Sequence, residues 1–175
     1  CLYTGIMTDT GSFRFPSTTA RTHQIVSSLI EKGAQPHSIH QNIYDTASFN
    51  RLRLLGTALN NLKKIEGLPV VYITLSQKEL NQNKFKKGDA EGFVNYGLSL
   101  QGVLLSVIMI ENESEKIIKM SFRSKGSVDV NQFARKHFNG GGHINAAGGK
   151  SDTSIEETVS YFIKSIESEK NIFNA

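Results

Sequence analysis

The run Gly140-Gly141-Gly142-His143, with Ala146, Ala147 and Gly148 close behind it, concentrates the residue types that grip an anion. Consecutive glycines leave backbone N–H groups unshielded by side chains, so a phosphate oxygen can approach them closely. His143 stands at the edge of the run and can donate a hydrogen bond, or place positive charge, beside the same ligand. The run also follows a predicted helix, so part of it can serve simply to end that helix, leaving a turn with a surface histidine. Arg123 ends a predicted strand ahead of the small basic turn Ser124-Lys125-Gly126. Its guanidinium fork suits bidentate phosphate contact or stacking on a base; the plainer alternative is a solvent-exposed strand end.

A third stretch, Thr8-Asp9-Thr10-Gly11-Ser12-Phe13-Arg14, sets a carboxylate among hydroxyls and a glycine. Such a carboxylate, at the end of a predicted strand, can offer an oxygen to a hard metal ion. Taken by itself, the heptapeptide reads more simply as an Asx turn in which Asp9 caps its own backbone. His23, His37 and His40 fall in helical segments without an acidic partner at ligand spacing, and His23 and His37 read as ordinary surface or half-buried residues. No Walker-type loop, dinucleotide fingerprint or nucleophile elbow is present, and Cys1 is a poor nucleophile candidate.

The elements that must position these residues change character along the chain. The first third reads as helical after a strand-like Leu2–Thr8. Thr19 to Lys32 stops at Gly33, Pro36 opens a short helix, and Asp45 or Thr46 caps a longer one. That longer helix would turn Phe49, Leu52, Leu55, Leu59 and Leu62 toward a core and end at Gly67. From Leu68 onward strands and helices alternate. Val70–Leu75 and the apolar run Val103–Ile110 read as strands, the second buried on both faces. Lys116–Arg123 alternates, with Ile118, Met120 and Phe122 on one face. Ser76 with Glu79 and Ser154 with Glu157 have capping-box spacing; Asp89 and Asp129 are further helix caps. The expected fold class is α/β, a mixed sheet with flanking helices over residues 67–175, preceded by a mainly helical segment over 1–66.

The chain has 175 residues, enough to bury a real core, and a net charge of +4. Residues 81–150 hold ten Lys/Arg against six Asp/Glu, so the whole excess lies in the segment with the glycine run. That distribution suits an anionic ligand, with a solvated basic face as the alternative. A single cysteine excludes an internal disulfide and a multi-cysteine zinc site. No apolar stretch is long enough to cross a bilayer and no secretion signal is visible, so a cytoplasmic setting without membrane contact is expected. The chain opens without methionine on an apolar segment and reads as a piece of a longer protein.

Together these stretches resemble a known family. Gly140-Gly141-Gly142-His143-Ile144-Asn145-Ala146-Ala147-Gly148 is similar to the signature of the DHHA1 domain, the C-terminal half of DHH-family phosphoesterases. Ser121-Phe122-Arg123-Ser124 resembles that family's strand-end arginine motif, and Glu91-Gly92-Phe93-Val94-Asn95-Tyr96 its acidic-glycine helix start. Thr4 to Arg14 resembles the last motif of the N-terminal DHH domain. The nearest subgroup is the bacterial oligoribonucleases that also dephosphorylate adenosine 3′,5′-bisphosphate.

The resemblance implies substrate contacts from Arg123, Gly141, Gly142 and His143, and a role for Asp9 as a manganese ligand. Short RNA or DNA oligonucleotides and nucleotide phosphates are the implied partners, with the missing DHH domain and a second copy as further ones. The chain contains no Asp-His-His and no Asp-x-Asp, so it holds no complete catalytic set and is expected to be inactive by itself. A cyclic-dinucleotide phosphodiesterase of the same family and a non-catalytic RNA-binding module are the rival readings.

Overall fold

Tyr3 and Met7 are four positions apart and share one helical face, and that spacing decides the first element. In a computed structural model that describes residues 1–173, Leu2–Asp9 is helix α1 and not the strand its apolar residues suggested. Tyr3 and Met7 are buried with Val26, against Ile6, Phe13, Leu29, Ile39 and Ile43. Helix α2 (Ala20–Glu31) starts at Thr19, whose hydroxyl accepts the Thr22 N–H while the Thr22 hydroxyl accepts the Thr19 N–H. Its Val26 faces inward, whereas Ile25 and Ile30 are exposed. Helix α3 (Pro36–Tyr44) begins at its proline, as read from the sequence. These three helices form one compact unit, Cys1–Ser48.

The second compact unit starts at Phe49 and is built on one mixed sheet. In chain order the strands are β1 (Lys63–Lys64), β2 (Val70–Leu75), β3 (Leu105–Asn112), β4 (Ile117–Ser124), β5 (Gly141–His143) and β6 (Ala146–Ser151). In space they run β1-β2-β3-β4-β6-β5. Only β2 and β3 pair in parallel. The helices are α4 (Phe49–Asn60), α5 (Gln77–Gln82), α6 (Phe93–Leu98), α7 (Val130–His137) and α8 (Ile155–Ser168), with a last 3-10 turn at Lys170–Phe173. This is the expected mixed α/β arrangement. Among the described residues no helix is long and apolar enough to cross a membrane.

The two faces of the sheet are covered unequally. On one, α7 and α8 bury Phe133, Ala134, Phe162 and Ile166 against Val107, Met109, Ile118, Met120, Phe122 and Ala147. On the other, the core joins Leu54 and Ala58 of α4, Leu80 of α5 and Phe93 and Val94 of α6 to Ile73, Leu75 and Ile108. That second core draws on β2 and β3 and on no residue of β4, β5 or β6. Strand β3 is therefore buried on both sides, whereas β4 alternates between buried and exposed positions.

Two further helices differ from the sequence reading. Helix α4 ends at Asn60 and turns Leu54 and Ala58 inward, leaving Phe49, Leu52 and Leu59 exposed. Both stripes have helical spacing, and β2 selects the one whose small Ala58 lets the helix approach the sheet closely. The compact unit consequently takes in α4, which the sequence reading placed in the preceding segment. Helix α6 starts at Phe93 after a left-handed Gly92, because the Asp89 carboxylate accepts the Lys86 N–H in a tight turn and caps no helix. Tyr96 and Leu100 point outward.

Helix α6 sits unusually low over the sheet. A Cβ on Gly97 would lie 2.2 Å from Ser106 Oγ and 2.7 Å from Val71 Cγ2. Substituting Gly97→Ala is therefore expected to lose about 1–3 kcal/mol in chemical denaturation, through overpacking. Glu79 supplies a pH-dependent tie. Its carboxylate accepts Asn61 Nδ2 and both the N–H and hydroxyl of Ser76, each at 2.8 Å. Partial burial pushes its pKa up, but those hydrogen bonds together hold it below the usual value. A depressed carboxyl stabilises the fold above its unfolded pKa and loses that contribution as pH falls through the folded one. Glu79→Gln should cost about 1 kcal/mol at neutral pH, a difference that disappears in unfolding curves recorded in acid.

Candidate anion-binding site

Strand register places the sequence-predicted residues. Arg123 of β4 lies opposite Ala146 of β6, and Ala146 lies opposite His143 of β5. Opposed residues share a face, so the three form one row with Arg123 and His143 at its ends. Two strand spacings separate the ends, about 10 Å between Cα atoms, and the alanine between them leaves the floor low. The next row is smaller still, Ser121, Gly148 and Gly141. Beyond it Lys119 lies opposite Lys150.

This face of β4 and β6 lies outside the second core, so the row forms an open shelf. Arg123 is half-buried and its Nη1 donates to the Phe122 carbonyl at 2.9 Å. His143 is exposed, and its imidazole makes no hydrogen bond or ion pair among the described residues. Hollows of about 640 and 800 Å³ lie at the β3–β4 hairpin and at the end of α7 and α8, the second lined in part by Arg135. An open shelf with a fixed cation suits an extended anionic ligand better than either.

The glycines act first through their lack of bulk. A Cβ on Gly140 would stand 1.9 Å from the Gly148 carbonyl oxygen, and one on Gly142 would stand 2.4 Å from that of Ala146. Only glycine lets β5 lie this close to β6. The N–H groups are less free than the sequence suggested. Gly140 donates to the Ala134 carbonyl, ending α7, and Gly142 donates to Asn131 Oδ1 at 2.9 Å.

Two asparagines that the sequence reading did not single out hold this corner. Asn131 Oδ1 also accepts Arg135 Nε at 3.0 Å. Asn145 Nδ2 donates to Ser124 Oγ and to the Gly126 carbonyl, pinning the β5–β6 turn to the loop after Arg123. Asn145 lies between His143 and Ala146, and that position inside the glycine–histidine stretch was the available signal. Lys125 turns away and donates to the Leu98 carbonyl at the end of α6.

Asp9 is placed differently. It is exposed at the last position of α1, a helix end and not a strand end, and it belongs to the other compact unit. The hydroxyls of Thr8 and Thr10 hydrogen-bond to carbonyls of α1. Among the described residues no group of three or more His, Cys, Asp or Glu can hold a metal ion. Of the other histidines, His23 packs its ring near Phe13 and His40 Nδ1 contacts the Pro36 carbonyl.

A family model for the DHHA1 domain matches residues 70–170 of this sequence, the stretch that builds the shelf from β2 through α8. The chain belongs to the DHHA1-domain family. Among curated proteins it is 32% identical over 148 residues to the bifunctional oligoribonuclease and PAP phosphatase NrnA of Bacillus subtilis, covering 84% of this chain and 45% of that protein. The NrnA protein of Thermus thermophilus is 31% identical over 147 residues, 83% of this chain and 42% of its own length. The chain thus spans less than half the length of these relatives. Among solved structures, an exopolyphosphatase-related protein from Bacteroides fragilis superposes with a TM-score of 0.96 at 39% identity, covering the whole of this chain and 51% of the other.

The glycine geometry sets a contrast. Gly140→Ala must displace backbone and should lose about 1–3 kcal/mol in urea unfolding. Gly148→Ala, whose Cβ would meet nothing closer than the Met120 carbonyl at 3.7 Å, should unfold like the parent.

Proposed function

We propose that this chain is the substrate-holding part of a manganese-dependent phosphoesterase that hydrolyses short oligonucleotides and 3′,5′-bisphosphorylated nucleotides. The observation that carries the reading is the Arg123–Ala146–His143 row, a cation and an imidazole spaced across a low floor on the open face of the sheet. The names of the NrnA relatives support the substrate class.

In this reading Arg123 takes the substrate phosphate through its remaining guanidinium N–H groups, with bidentate geometry. His143 donates to the same phosphate or to the neighbouring sugar. Gly148 lets the nucleotide backbone lie against the sheet. Holding the chain end at a fixed place presents the next ester bond in one orientation, which is a positional contribution to rate.

The metal centre is proposed for the whole protein, with Asp9 as one manganese ligand. The residues of this chain do not fit that group by themselves. Asp9 is exposed, and no further acidic or histidine ligand gathers with it among the described residues. A two-metal site needs several, so the chain's own residues bind and orient, and the isolated chain is inactive.

Binding of pApA and of adenosine 3′,5′-bisphosphate, followed by calorimetry, tests this. Arg123→Ala and His143→Ala should each weaken binding by about tenfold, in line with a lost charge-assisted hydrogen bond. Gly148→Ala should weaken it while leaving stability unchanged. Unaltered affinity in both the Arg123 and His143 variants would overturn the site; brisk cleavage by the isolated chain in Mn2+ would overturn its assignment as a holding part.

A further inference from the structure

We propose that Arg135 is a further phosphate-binding residue of this site, held in place by Asn131, and takes the phosphate next to the one gripped by Arg123 and His143. The proposal rests on the reading of the shelf as a nucleotide-phosphate grip.

The last turn of α7 carries three basic residues, Arg135, Lys136 and His137. A favourable interaction with the helix dipole would account for all three alike, yet their contacts differ. Lys136 Nζ and His137 Nε2 both bind the Glu169 carboxylate, which fastens α7 to the end of α8. Arg135 is exposed, forms no ion pair among the described residues, and runs toward β5 instead. Its guanidinium carbon would lie 3.3 Å from a Cβ on Gly141, and its Nε and Nη2 3.4 Å. The guanidinium thus lies against the bare backbone of Gly141, where a side chain would crowd it.

Position along β5 then relates Arg135 to His143. Residues two apart on a strand project to the same side and stand about 6.8 Å apart, so the guanidinium beside Gly141 neighbours the imidazole of His143. Asn131 fixes the arrangement with one atom. Its Oδ1 accepts Arg135 Nε at 3.0 Å and the Gly142 N–H at 2.9 Å, tying the side chain and the strand to the same point. Because the bond uses Nε, both Nη groups stay available as a fork for a second phosphate. Asn131 is thus a positioning residue, and Arg135 a contact residue for substrates that carry more than one phosphate.

Equilibrium binding of 5′-AMP and of pApA to the full chain, at several salt concentrations, tests the proposal. Arg135→Ala should weaken pApA about tenfold and 5′-AMP less than about twofold, and make the salt dependence for pApA shallower by about one phosphate contact. Arg135→Lys should recover the salt dependence but only part of the affinity, since lysine cannot form the fork. Asn131→Ala should reproduce the selective loss, and the double variant Asn131→Ala/Arg135→Ala should be no weaker than Arg135→Ala, the mark of a shared path.

An Arg135→Ala chain that binds both ligands like the parent, or loses both equally, overturns the proposal. Arg123→Ala separates the two levels. If it weakens both ligands while Arg135→Ala weakens neither, only the role of Arg135 fails. If Arg123→Ala weakens neither ligand, the shelf itself is misread and both conclusions fall together.

Discussion

The close approach of β5 to β6 is the constraint on which the candidate site depends. Two glycines, Gly140 and Gly142, stand where any side chain would collide with β6 backbone. That proximity carries His143 into register with Ala146, and through it with Arg123. It also brings Gly142 to Asn131, so the strand is anchored to α7 as well as to the sheet. Backbone of α7, β5 and β6 is thus locked at one corner with very little side-chain bulk between the two strands.

The unequal covering of the sheet is the second condition. Burial on the α7–α8 face supplies a continuous apolar core, dominated by Phe122, Phe133, Phe138 and Phe162 in mutual ring contact. The opposite face carries its apolar core over β2 and β3, with α6 reaching the edge of β4. Had the roof continued across β4 and β6, Arg123 would need an internal partner for its charge, at a cost that proteins rarely accept. Leaving that half open keeps the guanidinium solvated at its outer end and free to meet an anion. Helix α6, set low by the contact of Gly97 with Ser106, forms the border of the open half.

Ionic ties on the other face keep this arrangement in register. Glu169 gathers Lys136 and His137 of α7. Burial raises its pKa, but the hydrogen bonds from Lys136 and His137 outweigh that and hold the carboxyl below the usual range. These contacts consume two of the three basic residues at the end of α7 in structural work, and they do so on the side away from the shelf. Charge near a glycine-rich run is therefore sorted by geometry into groups tied to a carboxylate and a group turned toward β5, a division that net charge by itself does not reveal.

Several features were legible in the sequence because they depend on neighbours a few residues apart. The reciprocal caps at Ser76–Glu79 and Ser154–Glu157, the alternation of β4, the burial of β3 over Leu105–Met109 and the Asp129 cap before α7 all rest on local spacing. The glycine–histidine run and Arg123 also announced themselves by residue type, as did the resemblance to the DHHA1 family. Which way an amphipathic helix faces was not legible, because α4 carries two apolar stripes and only contact with β2 chooses between them. Nor was the state of Leu2–Asp9, whose apolar residues satisfy either period until Tyr3 and Met7 meet Val26. The sequence by itself singled out Arg123, His143 and the glycines beside it as candidates by residue type and spacing. Only the tertiary structure decided that Arg123 and His143 stand in one row, that Asn131 consumes a glycine N–H, and that Arg135 turns toward β5, because each follows from strand register or from the way α7 packs beside β5, which residue type and local period do not reveal.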